Sequence, residues 1–319
     1  MMPDQTPIRR GNRRAGFTLI ELLIAMVLGL VVLTISANFA SATLRSSRAT
    51  DMRDGLNRDA RFVGLSVARD VQDAGVSLPS TSTFGAVATR GDTVVALSVP
   101  YLPNQAEVYR MVVPVASIDP LPPGGTCGAT CIDLVDPNVV PFQLRVGDLA
   151  LLQVQNVRRL IVLTAVSTPV AGQRRITWST ADSLFVWPAG LTGGLRLTRT
   201  TVAVQRLQAT GYYHNTLAST LMRADGFTTT GQLNAGPAAR GVLTFSTRLA
   251  FTDGNERIAA DGFDADTLND YDRIMSVVVR ARMKIERTDR TINGGAVLYR
   301  NYEWKVTPRN LLFERNRLL

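Results

Sequence analysis

The sequence predicts an α+β chain. One long N-terminal α-helix, membrane-spanning in its first half and amphipathic in its second, packs on a mainly antiparallel β-sheet head. Three observations predict this. An apolar run starts at Gly16 and holds a single charge, Glu21, between Arg14 and Arg45. No proline lies between Pro7 and Pro79, and apolar residues recur there at steps of three or four. Beyond Pro79 the pattern turns to short β-rich runs divided by Pro- and Gly-rich loops. The expected boundaries are 1–16 for a leader, 17–44 for a transmembrane helix, 45–76 for its amphipathic continuation and 77–319 for the head.

The first element is the membrane helix. Phe17 to Leu44 would be roughly 42 Å long as a helix, enough to cover a hydrocarbon core of about 30 Å. Thr34, Ser36, Asn38 and Ser41 crowd its far end, so the apolar centre is nearer Leu22 to Ile35. Arg9, Arg10, Arg13 and Arg14 precede the run, which by the positive-inside rule keeps the N-terminus cytoplasmic and sends the bulk across.

Glu21 is the anomaly in that helix. A lone carboxylate costs about 2.5–3.5 kcal/mol at the bilayer centre and less near the edge. No Lys, Arg or His inside the segment can serve as its partner. A free amine at a newly cut N-terminus could. At ~4 Å and an effective dielectric of ~20 the pair gains about 4 kcal/mol before desolvation. If a neighbouring subunit supplies the amine, Glu21 sets the axial register between helices as a polar coiled-coil residue does. The competing reading is a secretory signal peptide cut after the A-x-A site Ala40–Ala42, with a soluble product starting at Thr43. An uncleaved single-pass anchor is a third option.

The amphipathic half carries a stripe of Ala49, Met52, Leu56, Ala60, Val63, Val67, Val71 and Ala74, expected to face the head's core. The other side carries Arg48, Asp51, Asp54, Arg58, Arg61, Arg69 and Asp73. Gly55 and Gly64 weaken the helix, so packing must support it. Gly75 followed by Pro79 ends it.

The head follows as strands. Thr93–Val99, Val108–Val115, Arg159–Val166, Leu195–Tyr213 and Gly241–Thr252 are β-rich. The cleanest alternation sets Val277, Val279, Ala281, Met283 and Ile285 against Arg280, Arg282, Lys284 and Glu286. The turn "INGG", Ile292 to Gly295, leads to a strand with Leu298, Tyr302, Trp304 and Val306 inward. An antiparallel sheet with one wet face is expected.

Composition excludes global disorder: hydrophobic residues are 45% and charged residues 19% of 319. The net charge is +9, carried almost wholly by arginine, with lysine only at Lys284 and Lys305. Arginine dispersed along the chain argues against a nucleic-acid partner unless folding gathers it into a patch.

Cys127 and Cys131, in "CGATC", are too few for a structural zinc site. In an exported chain they suggest a small disulfide loop worth roughly 2 kcal/mol, with two reduced thiols as the alternative. Asp261, Asp264 and Asp266 offer oxygens for calcium, but their spacing is not an EF-hand loop. A solvated loop with Asp264 or Asp266 capping a short helix is the plain alternative. Trp178 to Trp187 is aromatic and is expected to fill the core. His214, the one histidine, has no nucleophile-elbow or metal spacing around it, and no P-loop or GxGxxG follows a strand. No enzyme and no cofactor are expected.

"RRAGFTLIELL" resembles the class III signal of type IV pilins and pseudopilins: a basic leader, Gly, Phe, three residues, Glu, then an apolar run. The resemblance implies that Gly16 ends the leader, that Phe17 becomes the N-methylated first residue, and that Glu21 pairs with a neighbour's amine. A glycine leaves the backbone open to a peptidase. Softer similarities point to the PilW-type minor pilins of type IVa pili. They are the chain's length, Asp70 with Ala74 and Gly75 at the helix end, and Arg309–Asn310 after the last strand. Many relatives place a cysteine just after the Ala-Gly, where this chain has Ser77 and Leu78.

The resemblance implies an inner-membrane protein with a periplasmic head, processed by the prepilin peptidase. Its partners would be other minor pilins, the major pilin and a large tip adhesin. Its place would be a priming complex at the pilus tip, serving assembly, twitching motility and adhesion. The J-type minor pseudopilin of type II secretion is the runner-up. A DNA-binding minor pilin for uptake, suggested by the +9 charge, is a further alternative.

Overall fold

A computed structural model of the chain describes residues 18–76, 78, 85–100, 108–110, 131–136, 142–154, 157–180, 202–228, 233–260, 268–285 and 295–311. The chain forms two compact units, residues 1–54 with 289–296 and residues 55–288 with 297–319. One helix, α1 (Leu19–Gln72), supplies elements of both.

In the first unit α1 is apolar and uncovered. Leu19, Leu33 and Phe39 are 80%, 71% and 75% exposed. The segment is long and apolar enough to cross a membrane, and none of it is buried in protein. Apolar surface on this scale needs lipid or other helices around it.

In the second unit the predicted stripe is buried from Leu56 onward: Leu56, Ala60, Val63, Val67, Val71 and Ala74. Ala49 and Met52, the two N-terminal members of the stripe, lie in the first unit and are only half-buried. The helix stops four residues short of the expected end, and turns fill Asp73–Val76. Gly75 takes a φ of +81°, the left-handed conformation that favours glycine, and its N–H donates to Leu97 O at 2.7 Å.

The head is antiparallel β-structure as expected, and among the described residues it forms two sheets. The larger follows the order β1 (Val87–Arg90), β2 (Thr93–Ser98), β8 (Val202–Asn215), β5 (Leu149–Val154), β6 (Val157–Val166), β7 (Gln173–Thr180), β4 (Cys131–Val135). Strand β3 (Val108–Arg110) also pairs β8, as does β9 (Thr220–Phe227), which in turn pairs β10 (Leu233–Arg240). The smaller sheet is β12 (Glu256–Arg257), β11 (Val242–Phe251), β13 (Ile274–Lys284), β14 (Tyr299–Val306).

The expectation of one wet face holds for β13, where Val277, Val279, Ala281 and Met283 are buried and Arg280, Arg282 and Lys284 are not. It fails for the larger sheet. Leu149, Leu151, Leu160 and Val162 join the helix-side core, while Ala150, Leu152, Ile161 and Leu163 join a second core on the opposite face. Strands buried on both faces read as continuous apolar runs, which hides their alternation. Trp178 belongs to that second core, as expected for an aromatic.

Hydrogen bonds tie the sheets together. Thr247 Oγ1 donates to Thr93 O at 2.8 Å, and Val242 N–H donates to Ser219 O at 2.9 Å. Thr89 Oγ1 donates to Ile258 O at 2.6 Å. His214, buried, sets Nε2 2.8 Å from Val242 O, which makes the lone histidine a strand-to-strand clasp.

Candidate functional site

The chemistry-bearing features fall at the start of α1 and at the seat of its last turns. At the start, Thr18 precedes the first helical residue and Glu21 sits three positions on. The Thr18 N–H and hydroxyl both donate to Glu21 Oε2, at 3.1 and 3.0 Å, and the Glu21 N–H reaches Thr18 Oγ1 at 3.4 Å. This is a capping box, in which the carboxylate satisfies donors that the helix start leaves orphaned. Glu21 thus has a local hydrogen-bond partner in Thr18, which is not a cation. The signal, a threonine followed three residues later by Glu before an apolar run, was present in "TLIE". Gly16 and Phe17 lie outside the described residues.

The seat of the helix is built from four fastenings within the head. Asp70 accepts a hydrogen bond from the Tyr212 hydroxyl at 2.6 Å and another from Arg223 Nε at 3.1 Å, while Arg223 also bridges to Asp225 at 2.8 Å. Burial of Tyr212, and then its bond to the Asp70 carboxylate, push its phenol pKa well above the ordinary value. About three and a half turns earlier, Asn57 Oδ1 accepts from the Tyr302 hydroxyl at 2.9 Å and from Arg300 at 3.2 Å. Between them Gly64 is buried beneath Trp304, whose indole fills the space a side chain would need. Past the helix, Asn310 Nδ2 donates to Ala74 O at 3.2 Å, and Arg309 reaches Gln72 Oε1 at 3.4 Å.

Two short motifs that are far apart in the sequence thus meet. Asp70, Ala74 and Gly75 at the helix end lie against the head, and the Arg309–Asn310 pair closes on them. A Cβ on Gly75 would sit 3.4 Å from Asn310 Cβ and 3.2 Å from Ala86 Cβ, so the spot is tightly packed, and its φ of +81° favours glycine. Sequence reading found these positions only by resemblance. Tyr212, Arg223, Asn57 and Trp304 carried no local signal, because each acts through a partner more than a hundred residues away.

The remaining candidates separate from this seat. Cys131 opens β4 and is buried, and Cys127 lies outside the described residues. So do Asp261, Asp264 and Asp266. The short helix after them is a single 3-10 turn, Tyr271–Arg273. The residue at its start is Asp270, which makes no side-chain capping bond. Among the described residues no cluster of three His, Cys, Asp or Glu could hold a metal ion. The arrangement is one of fastening: hydrogen bonds and ion pairs that fix a helix in a head.

With this geometry in place, comparison with known proteins gives one match. Residues 11–37 fit the family model described as the prokaryotic N-terminal methylation motif. No curated protein and no solved structure matches the chain. The matched stretch covers Arg13 and Arg14 at the end of the basic leader, Gly16, Phe17, Glu21 and the apolar start of α1. A signal of this class leading into a long apolar helix, whose last turns pack on antiparallel sheets, makes this a pilin-like protein bearing the N-terminal methylation motif.

Proposed function

We propose that the chain is a minor pilin of a type IVa pilus that helps prime assembly as part of a tip complex. The observation that carries this reading is the methylation motif joined to a helix whose first half has no burial partner of its own. In this reading the prepilin peptidase cuts between Gly16 and Phe17 at the inner membrane, and Phe17 is N-methylated. The helix stays in the bilayer with the head in the periplasm until assembly extracts it. Glu21 then exchanges its local cap for a neighbour's amine. The exchange replaces hydrogen bonds from a neutral hydroxyl and amide by an ion pair with a cationic amine.

Two features support a specialised rather than a repeating subunit. Among the described residues the head holds fourteen strands in two sheets, a bulk that suits a filament end better than close repetition along a shaft. The outer face of α1 in the head also carries Phe62 and Leu65, 60% and 64% exposed, an apolar pair that a neighbouring subunit's helix would cover. Other minor pilins, the major pilin and a large tip adhesin are the partners this reading expects. Closure of Cys127 with Cys131 belongs to the same reading, since the head matures in an oxidising compartment. Thiol counting on the exported protein under denaturing conditions should find no free thiol.

Deletion of the gene, complemented by the wild type or by Glu21→Ala, tests the proposal. Twitching and surface pili should be lost, restored by the wild type and not by Glu21→Ala. Normal twitching with loss of exoprotein release would assign the chain to a type II secretion filament instead.

A further inference from the structure

The smaller sheet ends on a strand with an open edge. Strand β14 pairs β13 over eight residues without a register shift and holds no proline. Among the described residues no strand pairs with its other side. The other strands that end a sheet are short or interrupted. Strands β1, β3, β4 and β12 run for two to five residues, and β10 carries Pro237 and two register shifts. Such interruptions discourage a sheet from pairing with another chain, and β14 lacks them.

Two hydrogen bonds fix which way its backbone points. Ile285 N–H donates to Leu298 O at 3.0 Å, and Lys284 N–H donates away from β14, to Gly241 O at 2.7 Å. Successive residues of an antiparallel pair alternate in this respect. Tyr299, Asn301, Glu303 and Lys305 therefore aim their N–H and C=O groups at the open edge. Their side chains stand on the outer face of the sheet and are exposed. Tyr302 and Trp304, on the other face, are half-buried against α1. The charge along the edge is uneven. Arg280 holds Glu303 at 2.8 Å. Arg282 lays its guanidinium over the Tyr299 ring at 4.0 Å, Lys284 pairs across from Tyr299, and Lys305 stands at the far end of the strand. Arg282, Lys284 and Lys305 form no ion pair among the described residues.

We propose that the β14 edge takes an extended segment of a partner chain as a further strand. The segment carries Asp or Glu at two positions, opposite Lys305 and opposite Tyr299 with its covering guanidinium. Outward positions between them are neutral, because Glu303 repels an acid placed across from it. The intervening positions are apolar, toward Tyr302 and Trp304. Main-chain bonds supply the affinity and the two acids fix the register. A second copy of β14 fits less well, since it brings two more cations, Arg300 and Lys305, and one acid, Glu303. The inference concerns the head alone and stands whether or not the filament reading does.

The test uses full-length protein in non-ionic detergent and a labelled peptide, Glu-Val-Thr-Val-Thr-Val-Glu, followed by fluorescence anisotropy up to ~1 mM. The peptide should bind and should slow amide exchange at Tyr299, Asn301, Glu303 and Lys305. N-methylating its two threonines removes N–H groups that would face β14 and should weaken binding at least about tenfold. Lysine in place of both glutamates should weaken it as much. Asn301→Pro removes one N–H at the open edge and no bond to β13, and should lower affinity to a similar degree. The N-methylated peptide makes the same test on the unaltered protein. Lys305→Gln with Arg282→Gln should weaken binding several-fold. Absence of peptide binding would overturn the proposal, as would equal binding of the N-methylated or the lysine peptide.

Discussion

Replacing Gly64 by alanine should, on helix propensity alone, stabilise α1 by about 1 kcal/mol. The structure reverses that sign. A Cβ built on Gly64 falls 2.5 Å from Trp304 Cε2 and 2.8 Å from Cδ1, and neither is the end of a flexible chain. Trp304 cannot step aside cheaply. It stacks on Tyr302 with ring centroids 5.8 Å apart, and Tyr302 is itself bonded to Asn57 on the helix. Over-packing of this kind costs about 1–3 kcal/mol, so the net effect of Gly64→Ala is a loss near 1 kcal/mol once propensity is subtracted. Gly55, on the same helix, has nothing within 4 Å of its built Cβ. Gly55→Ala should therefore gain up to about 1 kcal/mol. Urea unfolding of the full chain in detergent, followed by tryptophan fluorescence, reads both as shifts of the midpoint in opposite directions. Trp304→Leu placed in the Gly64→Ala background should recover part of the loss, because the two sites share one space. If Gly64→Ala stabilises as much as Gly55→Ala, the reasoning about this contact is refuted.

Two further predictions concern the Asp70 fastening. Asp70→Ala leaves the Tyr212 hydroxyl proton without its acceptor, on a residue only 1% exposed, while Arg223 Nε still donates to the hydroxyl oxygen at 3.2 Å, and should cost about 1–3 kcal/mol in the same assay. Asp70→Asn keeps an acceptor there and should cost less; equal losses would show that the bond is not what matters. Tyr212 also predicts a pH dependence. Its folded pKa is raised above the ordinary 10.0, so its contribution is complete below that value and is lost as pH rises through the folded pKa. The wild type should lose stability progressively above pH ~10 and Tyr212→Phe should lose less; identical alkaline profiles would contradict the assignment.

How much of this was written in the sequence depends on the range of the signal. The helix stripe from Leu56 to Ala74 was legible because its period is local, and so was β13, whose alternation of valine with arginine or lysine is a property of adjacent residues. Strands β5 and β6 lie against a core on each face, so Leu149 to Leu152 and Leu160 to Leu163 show no alternation to read. That is also why the second core is not legible in the sequence. Gly64 read as a helix weakness, and only the position of Trp304, 240 residues away in sequence, shows it to be a fitted contact. The capping box of Thr18 and Glu21 is a different case. Its signal is local: a threonine three residues before Glu21 at the head of an apolar run.

The central claim is that the working chain begins at Phe17, with Glu21 near the start of a helix that is kept rather than discarded. Intact-mass analysis with N-terminal sequencing of the protein from the cell envelope tests it most directly. The account predicts a chain that lacks residues 1–16 and carries one methyl group on the Phe17 amine. A chain starting at Thr43, or one still starting at Met1, would contradict it.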